Sequence, residues 1–185
     1  MNHINKMKLF LRISFLFFLI FSCTNNEIPP TTLEMRDSLI YKIGSDIPFT
    51  GKEKAVVEGK LIEYEIVDGM RHGDFRYYYE NGNLELQGQM DFNKNIGKWQ
   101  YYYVTGELEM EGNFVDNNPG GKWTTYFPSG KIMEEGIFTN GKRIGLWKQF
   151  DEQGNLTMEK EFLLDDSTNT EEKFLDKFRN KYNYR

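Results

Sequence analysis

An internal repeat of 24 residues dominates the central part of the sequence. A glycine recurs at this step at Gly73, Gly97, Gly121 and Gly145, and an aromatic residue follows each one at Phe75, Trp99, Trp123 and Trp147. Four further positions keep the step in all four copies: Tyr78, Tyr102, Tyr126 and Phe150; Gly82, Gly106, Gly130 and Gly154; Leu84, Leu108, Ile132 and Leu156; Met90, Phe114, Phe138 and Phe162. Gly88, Gly112 and Gly136 keep it in three copies. A period of this length indicates a repeat array in which each unit packs on its neighbours.

Each unit has the pattern of a β-hairpin. A strand rich in aromatic residues is followed by a glycine-containing turn and then by an alternating strand such as LELQGQM or LEMEGNF. A degenerate first copy covers residues 48–69. The sequence therefore predicts an all-β fold, an elongated antiparallel β-meander of hairpin repeats over residues 39–164.

The turn within each unit bears on which side chains share a face. Pro128 suits the first corner of a type I turn, so a three-residue loop closed by a left-handed glycine fits all copies. Simple alternation from such a loop puts Tyr102 opposite Leu108 and sends Trp99, Tyr101 and Tyr103 to the other face, opposite glutamates. A two-residue loop would instead place Trp99 across from Gly112 on the leucine face.

The aromatic residues of the first strand in each unit are the candidate binding residues. If exposed, they form a strip larger than the apolar surface usual for a monomer, which indicates a docking site. The alternative is that sheet twist and the stems of neighbouring Lys and Glu side chains bury most of it. The candidate partner-binding residues are Phe75, Tyr77, Trp99, Tyr101, Tyr103, Trp123 and Trp147.

The N-terminus has the pattern of a lipoprotein signal. Basic residues precede or flank the apolar run ISFLFFLIF, which is too short to span a membrane and ends at Ser22-Cys23. Residues 20–23 resemble a bacterial lipobox, which implies acylation of Cys23, the only cysteine. Thr24 in place of Asp implies, again by resemblance, transfer to the outer membrane of the cell envelope. Residues 1–22 would then be a signal peptide.

Two segments flank the repeats. Residues 23–38 contain adjacent prolines and are predicted to be a tether, although a structured N-terminal cap is the alternative for the later part. Residues 165–185 place Phe174, Leu175 and Phe178 on one stripe, which predicts a short amphipathic helix over the last hairpin. A frayed tail is the competing interpretation.

Charge and residue types exclude several functions. Residues 1–22 contain three Lys or Arg and no acid, so the processed chain has 20 basic against 28 acidic residues, a net charge near −8. No basic patch is left for nucleic acid. His72 has no Cys or His partner, which predicts no metal site. Glu85, Glu109 and Glu111 occupy positions that recur between copies, which favours a solvent-exposed face over a catalytic pair of carboxylates. We expect no catalytic residue and no cofactor.

The unit G-x-W-x-x-Y-x-x-x-G-x-L-x-x-x-G-x-F resembles the variant MORN repeat found in the YwqK family of toxin–antitoxin antitoxins. The resemblance covers about residues 39–162, including PFTGK at 48–52. It implies a β-hairpin array that acts as an interaction scaffold. The first hypothesis is a membrane-tethered, non-catalytic module that binds a protein or glycan. The alternatives are an antitoxin or immunity-type protein and a structural envelope spacer.

Overall fold

The structure is a computed structural model that describes residues 31–163, and within them the chain is built from β-strands joined by short turns. A two-stranded sheet precedes a ten-stranded antiparallel sheet in which every strand pairs with the next in sequence. This confirms the predicted all-β meander of hairpin repeats. The strands are β1 (Leu33–Arg36), β2 (Leu39–Lys42), β3 (Gly51–Val57), β4 (Lys60–Val67), β5 (Met70–Tyr78), β6 (Leu84–Asp91), β7 (Lys94–Tyr102), β8 (Leu108–Val115), β9 (Asn118–Tyr126), β10 (Ile132–Thr139), β11 (Lys142–Phe150) and β12 (Leu156–Phe162).

Two kinds of turn alternate along the ten-stranded sheet. Within each repeat the loop has three residues: the N–H of Gly106 donates to the carbonyl of Tyr103, and Gly106 alone takes a positive φ, of 105°. The predicted three-residue loop is therefore confirmed. Between repeats the turn has two residues, such as Phe92 and Asn93, with φ of 42° and 67°. Positive φ at both positions is the geometry of the type I′ turn, which matches the twist of the flanking strands.

A β-bulge in each repeat corrects the predicted distribution of side chains between faces. Tyr102 does lie opposite Leu108, but the next pair is Tyr101 with Met110, so Glu109 is an extra residue. The extra residue reverses the alternation in the rest of the hairpin. Trp99 consequently lies opposite Gly112, and the prediction that Trp99 and Tyr101 face glutamates is wrong. The pairing suggested for a two-residue loop is present, but the bulge causes it.

The face that carries the tryptophans, here called the inner face, contains the hydrophobic core. Each indole ring lies across the glycine of the preceding strand: Trp99 over Gly88, Trp123 over Gly112 and Trp147 over Gly136. Each indole N–H also donates to the carbonyl of the residue after that glycine, at 3.2 Å. Neighbouring rings are 5.0–6.4 Å apart in an unbroken series: Tyr64, Phe75, Trp99, Phe114, Trp123, Phe138, Trp147 and Phe162. One packing unit thus repeats along the sheet.

The final copy shows why the glycine is part of this unit. Its equivalent position is Lys160, in the edge strand β12, where no further tryptophan follows. Without an indole to accommodate, a side chain is tolerated there. The absence of a glycine in the fourth copy is therefore explained by its place at the end of the sheet.

The N-terminal strands correct the predicted tether. Residues 33–36 and 39–42 form the β1–β2 hairpin, and the N–H of Ile40 donates to the carbonyl of Gly69 at the end of the large sheet. The tether prediction is therefore wrong for residues 33–38, and the alternative of a structured cap describes them. The predicted signal peptide, Cys23 and the helix of residues 165–185 lie outside the described residues.

Candidate binding surface

The predicted aromatic strip is continuous, but it forms the core and is not a surface. Six of the seven candidate side chains are only 1–7% exposed, and Tyr103 is half-buried. The expectation of an exposed strip is wrong, because the bulge places Met110 and Gly112, not glutamates, opposite Tyr101 and Trp99, and each indole is stacked on the preceding strand. The six buried residues are Phe75, Tyr77, Trp99, Tyr101, Trp123 and Trp147. Any docking surface in this region must use other side chains.

Tyr79 and Tyr103 connect successive repeats on the flank of the core. The hydroxyl of Tyr79 donates to the carbonyl of Tyr102 at 2.7 Å, and that of Tyr103 to the carbonyl of Tyr126 at 2.6 Å. Burial, together with the charges of Glu85 and Glu109, raises the pKa of Tyr79 to about 12. These hydroxyls are therefore neutral and serve as structural donors between repeats.

The inner face becomes polar towards its C-terminal end. Where the first two repeats have Leu86 and Met110, the third has Glu134, which accepts two hydrogen bonds from Arg143, at 3.0 and 3.2 Å. The guanidinium of Arg143 also lies 3.9 Å from the ring centroid of Trp147. A carboxylate on this face is acceptable because a bidentate, partly buried partner satisfies it.

The opposite face of the sheet, the outer face, carries an ordered row of polar side chains. Directly paired residues cross all ten strands in the order Lys54, Glu63, Arg76, Gln87, Gln100, Glu111, Thr124, Glu135, Lys148 and Glu159. Glu111 is 2.8 Å from Lys98, and Glu135 is 2.8 Å from Lys122. The hydrogen bond from Lys98 lowers the pKa of Glu111. This face is largely made of polar groups that already satisfy one another.

Beside the polar row lies a second row, made of the aromatic position that recurs in all four repeats and the leucine or isoleucine opposite it. The hydroxyl of Tyr78 donates to Glu63 at 3.0 Å, and that of Tyr126 donates to Glu111 at 3.2 Å. Tyr102 occupies the equivalent position and accepts from Gln87 at 2.9 Å. The rings are half-buried, and each lies opposite a leucine or isoleucine of the next strand. In the first three repeats the aromatic side chains of this row therefore end in hydroxyl groups that are hydrogen-bonded to the polar row.

The third and fourth repeats depart from this pattern on the outer face. In the third repeat, Ile137 replaces the Gln89 and Asn113 of earlier copies and is 49% exposed. In the fourth repeat, Leu146 replaces a charged residue and is 45% exposed. The tyrosine of the second row is replaced by a phenylalanine, which lies opposite an exposed leucine. We call Ile137, Leu146, Phe150 and Leu156 the C-terminal apolar patch. Reasoning from the sequence missed it, although a comparison of equivalent positions among the copies carries the signal.

The carboxylates that could suggest catalysis have other partners. Glu85, predicted on a solvated face, is 0% exposed and lies 2.8 Å from the ammonium of Lys60. That prediction was wrong because Glu85 occupies the bulge of its repeat. His72 lies in β5, with its Nδ1 3.2 Å from a carboxylate oxygen of Asp91. Residues 31–163 contain no group of three or more His, Cys, Asp or Glu side chains that could hold a metal ion.

Comparison with known families identifies the hairpin unit. The model of the MORN repeat variant matches residues 71–91, 96–116, 119–140 and 143–163. These four segments are similar to variant MORN repeats. The matches coincide with the hairpins β5–β6, β7–β8, β9–β10 and β11–β12, so each MORN repeat is one unit with its tryptophan or phenylalanine, its bulge and its turn. The β3–β4 hairpin extends the MORN sheet by one irregular unit.

Three solved structures show distant likeness. TarM shares 13% identity over 61% of this chain and 21% of its own, with a TM-score of 0.30. A mutant of S. aureus TarM in complex with fondaparinux, α-GlcNAc-glycerol and UDP gives 12% identity with the same coverage and TM-score. The GtfA/B complex bound to UDP and GlcNAc gives 11% identity, 80% and 30% coverage, and a TM-score of 0.23. The chain thus spans about a fifth of the length of TarM, and TM-scores this low carry no argument. No curated protein matches the sequence.

Proposed function

We propose that this protein is a membrane-tethered, non-catalytic MORN-repeat module that binds a protein partner through the C-terminal apolar patch. The observation that carries the proposal is the substitution of Ile137 and Leu146 at positions that are polar or charged in the other repeats. The fold does not require apolar residues there, because three copies of the same unit pack without them. Exposed, clustered apolar side chains rimmed by charges are typical of protein interfaces.

Charged residues lie between and beside the apolar side chains of the patch. Leu146 and Phe150 flank Lys148 along β11, and Ile137 lies opposite Lys122 on the adjacent strand. Lys148 lies opposite Glu159 in the next strand. The patch therefore alternates apolar side chains with charges of both signs, which suits a protein surface more than an apolar ligand.

The test is to give the third and fourth repeats the residues of the second at these two positions. The double variant Ile137→Asn/Leu146→Lys uses side chains that the same fold already carries at Asn113 and Lys98. We expect capture of the partner from membranes to be lost, with an unchanged far-UV circular dichroism spectrum and melting temperature. Val104→Thr, an exposed apolar change in a turn outside the patch, is the matched control and should leave capture intact. Equal capture by the double variant and the wild type would reject the patch.

Tethering is supported by the sequence around Cys23. An acylated cysteine with two or three chains anchors a protein stably, whereas a single chain does not. Residues 31–163 contain no helix long and apolar enough to cross a membrane. We expect Cys23→Ser to move the chain to the soluble fraction and to block incorporation of labelled fatty acid; retention in the membrane would refute lipid anchoring.

The resemblance to the YwqK family supports a second candidate, the neutralisation of a toxin. In this case the captured protein would be a toxin, and co-expression of this chain would rescue growth of cells that produce it. Rescue that is lost with the Ile137→Asn/Leu146→Lys variant would favour neutralisation through the same patch. A chain that captures no partner and tolerates these substitutions in cells would instead favour an envelope spacer.

A further inference from the structure

The two edge strands of the ten-stranded sheet have complementary sequences. Each is seven residues long, and each pairs with a neighbour on one side only. β3 contains the sequence Lys52-Glu53-Lys54, and β12 contains the sequence Glu159-Lys160-Glu161. Unpaired backbone groups on an edge strand are a template for pairing with another chain.

Strand direction and facing select one register between these edges. Successive strands of the meander are antiparallel, so β12 is antiparallel to the β3 of a second copy placed in the same orientation. Lys54 and Glu159 both belong to the polar row of the outer face. Setting them opposite each other continues that row and keeps each face of one sheet in line with the same face of the next.

In this register all three charged pairs have opposite signs. Lys54 faces Glu159, Glu53 faces Lys160, and Lys52 faces Glu161. Next to the Lys54–Glu159 pair, Ala55 lies opposite Met158. Opposite charges and apolar residues in directly facing positions each stabilise an antiparallel pair.

Pairing of β12 with a second β12, or of β3 with a second β3, is disfavoured. When two β12 strands overlap fully with the same faces aligned, Glu159 faces its own copy. A shift to the next register with this alignment puts Lys160 opposite Lys160 and Glu159 opposite Glu161. Two β3 strands also place like charges opposite each other, because Lys52-Glu53-Lys54 has the same sequence of charges in both directions. Like charges directly opposite each other destabilise a strand pair.

Five of the six charged residues are exposed and accessible for a second partner, whereas Glu53 is half-buried and accepts a hydrogen bond from the hydroxyl of Thr31 at 2.7 Å. The side chains of Lys52 and Lys54 are 81% and 55% exposed, although they lie 2.6 and 2.8 Å from Glu65 and Glu63 of β4. Among the residues that the structure describes, neither Glu159 nor Glu161 makes an ion pair. Every residue of β12 before Phe162 is exposed.

From this complementarity we infer that copies of this protein associate head-to-tail, with β12 of one copy paired antiparallel to β3 of the next. The interface is heterologous, so it leaves one β3 and one β12 free at the two ends and can extend into longer assemblies. This inference does not depend on the proposed binding of another protein. The interface shares only Leu156 with the C-terminal apolar patch.

The experiment uses the full chain in detergent, as an equal mixture of unlabelled and ¹⁵N-labelled protein. A carbodiimide joins a lysine to a carboxylate that it touches, and mass spectrometry of mixed-isotope peptides identifies links between copies. We expect Lys54–Glu159 and Lys52–Glu161 links between copies, and a sedimentation coefficient that rises with concentration. The absence of these links at all concentrations would overturn the inference. A link from Glu159 to a lysine of residues 164–185 in the same chain would also overturn it, because that segment would then occupy the edge.

Two charge-reversal variants make the test specific. Lys52→Glu/Lys54→Glu and Glu159→Lys/Glu161→Lys each place like charges at two facing positions, and either variant alone should weaken association roughly tenfold or more. Mixing the two variants restores opposite charges at every position and should restore association. Recovery on mixing requires both variants to be folded, so it separates loss of pairing from unfolding. A mixture that stays monomeric, or a variant that associates as well as the wild type, would contradict the inference.

Discussion

The replacement of Gly112 by alanine tests the packing unit on which the fold depends. Gly112 lies opposite Trp99 in the hairpin and beneath the indole of Trp123 from the next strand. A Cβ atom on Gly112 would overlap the five- and six-membered ring junction of that indole. Trp123 is 1% exposed, so its ring cannot move aside without disturbing the neighbouring repeat.

The expected loss of stability follows from two contributions. Insertion of a methyl group into a packed core costs about 1–3 kcal/mol. Displacement of the indole also breaks the hydrogen bond from Trp123 Nε1 to the carbonyl of Asn113, at 3.2 Å, which contributes about 0.5–1.5 kcal/mol. Together these lower the free energy of unfolding by about 2–4 kcal/mol, or roughly 10 °C in melting temperature for a folded region of this size.

The assay is urea denaturation followed by tryptophan fluorescence, with Gly120→Ala as the control. Gly120 lies in the next strand, β9, where a Cβ atom would meet only the side chain of Val115, at the ordinary contact distance of 3.6 Å, and it does not have a positive φ. Gly120→Ala should therefore change the free energy of unfolding by less than about 0.5 kcal/mol. If the two alanine variants unfold at the same urea concentration, the indole–glycine stack does not determine the core packing.

Two further predictions concern buried polar groups. Lys60→Met removes the ammonium that lies 2.8 Å from the fully buried Glu85. This variant should destabilise the fold by about 2 kcal/mol, a value discounted because the lysine is partly exposed. The control Lys54→Met, at an exposed pair, should cost less than about 1 kcal/mol in the same urea titration. The pKa of Tyr79 is about 12 in the folded chain against a usual 10.0. Because the folded state disfavours the ionised phenol, its contribution to stability is complete below pH 10 and is lost as the pH rises from 10 to 12. Tyrosinate absorbance should show one fewer phenol titrating near pH 12 in Tyr79→Phe than in the wild type, and an unchanged titration would refute this assignment.

The repeat length and turn residues allowed most of the architecture to be predicted. Gly106 and its equivalents are followed by alternating strands at a constant step, so hairpins in a meander were the simple solution. The three-residue loop could also be predicted, because Pro128 and the glycine that ends each loop are local requirements of one turn type. These features depend on residues close together in the chain.

The candidate site was predicted incorrectly because it depends on one residue per repeat. Nothing in the immediate neighbours of Glu109 marks it as the extra residue of a bulge, since Met133 and Thr157 occupy the same place in later copies. A shift of one residue exchanges the two faces of a strand. The tryptophans assigned to a binding strip were therefore on the buried side, and the C-terminal apolar patch was not recognised.

The sequence alone determined the number of repeats, their hairpin form and the three-residue turn within each of them, because turn geometry and alternation are local properties of the backbone. The tertiary structure decided which face is the core. An indole of one strand lies over a glycine of the preceding one, and residues some 11 positions apart, such as Gly112 and Trp123, must meet before that face is favoured. Burial of the ring between repeats, rather than any preference within a single strand, selects the register that the bulge provides.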